Sequence, residues 1–226
     1  MGNTGLLLVG AVLFVNGISS LGLISSRSAA PLNLLVGLAQ VVLPTLVMVQ
    51  ASGDSRIIDA TWPSYLFGFT YLWYGLISLT DIDSKGFGWY SAFVAAVAVY
   101  KTATTVNADP ISAVMWLTWA IMWGLFFLQS ALGVTRMASI DLGRFTGWLL
   151  VLLGIPSCTV PALFLFNGTW ARTQVAGISA LAALVVLSAL SAILARPRVV
   201  AAADHSAPPL PEREIQTRVE ERSRPG

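Results

Sequence analysis

The sequence predicts an all-α integral membrane protein, a bundle of apolar helices, and three observations carry that prediction. The chain is 56% hydrophobic and 11% charged, with a mean hydropathy of +0.75. A soluble domain carries about 25% charged residues. Seven stretches are long and apolar enough to span a membrane, roughly 4–24, 32–50, 63–80, 88–106, 111–132, 146–166 and 174–195. A bilayer core of about 30 Å needs about 20 residues of helix. Every Glu lies in the C-terminal tail, and no charge lies well inside a stretch; Lys101 sits toward an end of the fourth.

The first stretch has neither a basic leader nor an A-x-A cut site close behind it, so it reads as a retained helix. Loop charges orient the rest, because cytoplasmic loops hold the excess Lys and Arg. With the N-terminus outside, the inner loops hold Arg27, Lys85, Arg136, Arg144, Arg196 and Arg198. The outer loops then hold Arg56, Lys101 and Arg172. Seven crossings from an outer N-terminus place the C-terminus in the cytoplasm. Residues 1–195 form the membrane domain. Residues 196–226 are polar, rich in proline and mixed in charge, and read as a flexible tail with a short helix from Pro211 to Arg222.

An internal repeat organises the first six stretches. VGAVLFVNGISSLGLISSR (Val9 to Arg27) matches FGFTYLWYGLISLTDIDSK (Phe67 to Lys85). Gly10 falls on Gly68, Gly17 on Gly75, and Arg27 on Lys85. A looser third copy, WLTWAIMWGLFF (Trp116 to Phe127), puts Gly124 in the place of Gly17 and Gly75. The unit is a helical hairpin used three times, an arrangement common in transport proteins. The seventh stretch is an addition to it.

Aromatic residues concentrate on two of the repeated helices. Phe67, Tyr71 and Tyr74 recur at i, i+4, i+7; Trp116, Trp119 and Trp123 recur at i, i+3, i+7. Either spacing puts three rings on one helix face. Such a stripe serves lipid contact or helix packing in many membrane proteins. The Trp stripe covers about 10 Å of helix axis, so it runs deeper than the interface, where indole and phenol edges want polar partners. A protein interior or a pore supplies them. Asn16, Asn33, Gln40, Thr70, Thr118 and Gln129 are the main polar groups inside the spans. Asn16, just before the repeated Gly17, is the foremost polar candidate for a pathway; its alternative is a bond to a neighbouring helix.

Other function classes lack their residues. A net charge of +2 is too small to suggest nucleic acid. One cysteine, Cys158, cannot form an internal disulfide. The sequence has no Walker loop, no His or Cys cluster for a metal, no Lys in the seventh span for a retinal Schiff base, and no acid in the membrane body for a proton relay. The only histidine, His205, is in the tail. Neither catalysis nor a cofactor is expected.

LFGFTYLW (Leu66 to Trp73), GWYSAF (Gly88 to Phe93), WLTWAIMW (Trp116 to Trp123) and LGRFTGWL (Leu142 to Leu149) resemble the signature segments of the AmiS/UreI family of urea channels and short-chain amide transporters, and VGAVLFVNGI (Val9 to Ile18) is similar to its first helix. The likeness runs over about residues 4–170. It implies six-helix protomers in a hexameric ring, each protomer with its own pore. It also implies that Phe67, Tyr71, Trp116, Trp119 and Trp123 line the constrictions, with Leu13 and Met122 beside them. Acid-gated members carry a long, His-rich outer loop and a Glu in the sixth span. Here the loop from Ala51 to Pro63 is short and has no His, and Leu153 stands at the place of that Glu. The expectation is passive permeation of urea or a short aliphatic amide, with a cytoplasmic amidase or urease as the sink. The alternatives are an ion- or proton-coupled amide transporter and a non-transporting module that signals through the tail.

Overall fold

The computed structural model of the chain describes residues 2–196. The expected tail, with its short helix and His205, lies outside the described residues. Helix α1 spans Gly2–Ser20 and α2 spans Ser26–Gln50, capped by the Ser25 hydroxyl, which accepts from the Ser28 amide. A short helix α3, Ser55–Thr61, crosses the loop to α4, Ser64–Leu79. Helix α5 spans Lys85–Thr105. Helix α6, Pro110–Phe126, runs on through a π-helical turn at Phe127–Ala131. A hairpin of two-residue strands, β1 Arg136–Met137 and β2 Ile140–Asp141, leads to α7, Leu142–Gly154. A second π-helical turn, Ile155–Thr159, joins α7 to α8, Val160–Phe166. Helix α9 spans Gln174–Leu194.

Five of these segments are long and apolar enough to cross a membrane: Gly2–Ser20, Ser26–Gln50, Pro110–Ala131, Leu142–Phe166 and Gln174–Leu194. The sequence leads one to expect seven. Helix α4 has 16 residues, about 24 Å at the α-helical rise. Helix α5 carries Lys85, Lys101 and three threonines, which dilute its apolar character. Both stand in the same bundle, α4 against α2 and α5 against α6.

The closest helix pairs are α2 with α4, α5 with α6, and α1 with α7. Each even span therefore packs most closely on the odd span that follows, the sixth closing back on the first; of the sequence hairpins, α1 and α2 also pack on each other, while α4 with α5 and α6 with α7 touch little. Glycines permit the approach. A Cβ on Gly17 would sit 2.8 Å from the Gly147 carbonyl oxygen, and one on Gly37 would sit 2.9 Å from that of Gly68. No side chain fits there, and small residues are what let membrane helices meet. Gly124 differs from the expectation raised by the third repeat: a Cβ there would meet open space. Helix α9 lies outside this ring of pairs, against α6 and α7, with Gly177 on Pro110.

Candidate permeation pathway

The two aromatic stripes meet in the middle of the bundle. Phe67 of α4 lies at the centre, 4.9 Å from the Trp119 ring in an edge-on arrangement and 4.7 Å from the Trp123 ring. Trp116 stands edge-on to Trp119 at 5.0 Å, and Tyr71 lies 6.4 Å from Phe67. Edge-to-face contacts at these distances fix ring orientation. Phe67, Tyr71, Trp119 and Trp123 are buried, while Trp116 is half-buried.

Two spaces stack around this cluster. The upper one is an open cleft of about 400 Å³ at the face that carries the N-terminus and α3. Gly2, Asn3, Gln40, Asp59, Ser64, Lys101 and Thr105 line it, and Phe67, Trp116 and Trp119 face it. The lower one is a void of about 20 Å³ walled by Leu13, Phe67, Thr70, Tyr71, Trp119, Met122, Trp123 and Phe126. Phe67 and Trp119 border both spaces. A void of that size holds about one water, so the slot between the rings is narrow.

Both buried indoles are held by hydrogen bonds within the protein. Trp119 donates its Nε1–H to the Ser157 hydroxyl at 3.3 Å, and Trp123 donates to the Thr70 hydroxyl at 3.2 Å. Thr70 in turn donates to the Leu66 carbonyl, which also accepts from the Tyr90 hydroxyl. Ser157 reaches Trp119 because the π-helical turn before α8 buries Ser157 and Cys158. Pro156 lacks an N–H and cannot keep the α-helical ladder there. The indole N–H groups are thus committed to the protein.

Of the eight residues that the sequence points to, Leu13, Phe67, Tyr71, Trp119, Met122 and Trp123 wall the void, and Trp116 lines the cleft above it. Asn16 is not brought to either space. It is 4% exposed and locked to Asn33 of α2 by a reciprocal pair of amide bonds, 2.9 and 2.7 Å. Asn33 also donates to the Ala29 carbonyl. Sequence reasoning passed over Ser157 and Phe126; the proline inside the sixth span was the signal for the first.

The cleft's charges are paired. Lys101 lies 3.3 Å from the Asp59 carboxylate and 5.6 Å from the centre of the Trp62 ring. The Trp62 indole N–H donates to Asp59 at 3.1 Å. That bond, with Lys101, holds the Asp59 carboxyl below its ordinary value despite partial burial.

A family model described as AmiS/UreI family transporter matches residues 1–169. The chain belongs to the AmiS/UreI family. The match ends before α9. Over 200 residues the chain is 48% identical to "Putative transporter protein AmiS2" of Rhodococcus erythropolis, covering 88% of this chain and 95% of the relative. It is 44% identical over 172 residues to "Putative amidate substrates transporter protein" of Mycolicibacterium smegmatis, covering 75% and 78%. The crystal structure of the urea channel from Helicobacter pylori superposes with a TM-score of 0.68 at 28% identity, covering 76% of this chain and 100% of the channel. The fold of this AmiS/UreI chain is thus that of a channel, with α9 added.

Proposed function

We propose that this AmiS/UreI protein is a passive facilitator for urea or short aliphatic amides, with a pathway through each protomer. The supporting observation is the void walled by Phe67, Trp119, Trp123 and Tyr71 beneath an open cleft. A flat, uncharged solute suits a slot between aromatic rings, and the rings must part to pass it, since the void holds about one water. An ion would lose its hydration with no fixed charge to replace it, at great cost. No Asp, Glu, Lys, Arg or His lines the void, which favours diffusion over proton coupling. Names of the relatives, amidate-substrate transporter and acid-activated urea channel, point to the same solute class.

The full reading has seven crossings, with α4 and α5 spanning through their packing. The cleft faces outward, the C-terminus lies in the cytoplasm, and protomers assemble as a hexamer. A cytoplasmic amidase or urease consumes the solute and maintains the gradient. Stopped-flow swelling of proteoliposomes in urea or acetamide tests the central claim. Flux should exceed that of protein-free vesicles and survive an uncoupler. Flux that collapses with the uncoupler would favour a coupled transporter. For orientation, an impermeant thiol reagent should fail to label Ser206→Cys in intact cells.

A further inference from the structure

Among the interior side-chain amides, those of Asn16, Asn33 and Gln129 are bonded within the protein. Gln40 is the exception. It sits on α2, is 5% exposed, and lines the floor of the cleft with Phe67 and Trp119. Its carboxamide has no partner among the described residues. Its amide lines the open cleft, so its hydrogen-bond partner there is water or a solute that displaces water.

Two glycines set its position. A Cβ on Gly68 would lie 3.2 Å from the backbone carbonyl carbon of Gln40, so the α2 backbone at Gln40 packs at the level of Phe67, beside the entry to the void. On α1, a Cβ at Gly5 would overlap the Gln40 side-chain oxygen. The amide therefore occupies space that any other residue at position 5 would fill.

We propose that Gln40 is the amide-recognition residue of the pathway, pairing with a primary amide or urea at the last polar point before the aromatic void. This rests on the amide-permeation reading above. A carboxamide presents a carbonyl acceptor and an N–H donor on one edge. A primary amide or urea presents the same pair, and two such edges join head to tail by two hydrogen bonds. Below this level the Trp119 and Trp123 N–H groups are already committed to Ser157 and Thr70. Gln40 thus replaces part of the hydration that the solute loses on entering the void.

The test compares acetamide with its isomer N-methylformamide, whose main form turns its N–H away from the carbonyl and cannot form the paired edge. Fluxes into proteoliposomes are measured against protein-free vesicles. The wild-type protein should favour acetamide, and Gln40→Leu should lower the acetamide-to-isomer ratio about fivefold to tenfold, the worth of the one net hydrogen bond by which the two solutes differ. Gly5→Ala is the second variant, because its new methyl meets the movable end of Gln40 and displaces the amide. It should lower the ratio as well, and it decides the matter if Gln40→Leu does not assemble. An unchanged ratio in the variants that carry acetamide would overturn the role of Gln40 and leave permeation standing. Absence of acetamide flux in the wild type would overturn the role of Gln40 as stated, and absence of urea flux as well would overturn the permeation reading.

Discussion

Trp119 borders the void and donates its indole N–H to Ser157, so the two parts of one side chain do different jobs. Trp119→Ala should change discrimination between urea and larger amides, as should Tyr71→Ala, with assembly retained. Flux ratios over an amide size series, together with size-exclusion profiles, check this. If the rings were only packing, truncation would cost about 3–5 kcal/mol and leave selectivity alone. Asn16 offers the contrasting case. Its amide is spent on Asn33, so Asn16→Ala should lower stability by about 1 kcal/mol while solute preference stays the same. Detergent melts of Asn16→Ala, Asn33→Ala and the double variant should show non-additive losses, since the two share one bonded unit.

At the scale of elements, the pathway is carried by α1, α4 and α6, whose side chains wall the void. Helix α9 touches none of it. Gly177 lets α9 lie against Pro110, and a Cβ there would overlap the proline ring. Gly177→Leu should therefore loosen α9 and cost about 1–3 kcal/mol through overpacking. The ratio of urea to acetamide flux should not move. A melt and a flux panel on the same preparation read the two effects. A shift in the ratio would show that α9 shapes the pore.

At the scale of the whole molecule, the titratable groups that face the cleft among the described residues are Asp59 and Lys101, which pair with each other. The Trp62 hydrogen bond, opposed by burial and aided by Lys101, lowers Asp59 below 3.8. A lowered folded-state value gives stability that is present above the unfolded value and lost as pH falls through the folded one. The loss thus begins only below the ordinary Asp59 range. Histidine is the usual titrating group from about pH 5 to 7.5, and the sole histidine is in the tail. Urea or acetamide flux should be flat across that window. A rise on acidifying the cleft side, measured by stopped flow with fixed internal pH, would reveal another switch.

Much of this architecture is legible in the amino-acid order. Hydropathy marks the helices because a bilayer demands long runs without charge. Helical spacing marks Phe67, Tyr71, Trp116, Trp119 and Trp123 as two stripes. The shortness of α4 and the lysines and threonines of α5 are why apolar length marks five helices while hydropathic pattern marks seven. What only tertiary structure decided is which groups remain free. Asn16 and Gln40 are both amides inside spans, and the local sequence, which favours Asn16 beside the repeated Gly17, does not show which of them is bonded within the protein. Asn16 meets Asn33 across the α1–α2 contact and is satisfied; Gln40 meets Gly5 and Gly68 and keeps its amide open to the cleft. The same holds for Ser157, which a π-helical turn carries to Trp119. Hydrogen-bond partners far apart in the chain are set by how helices cross, and helix periodicity says nothing about that.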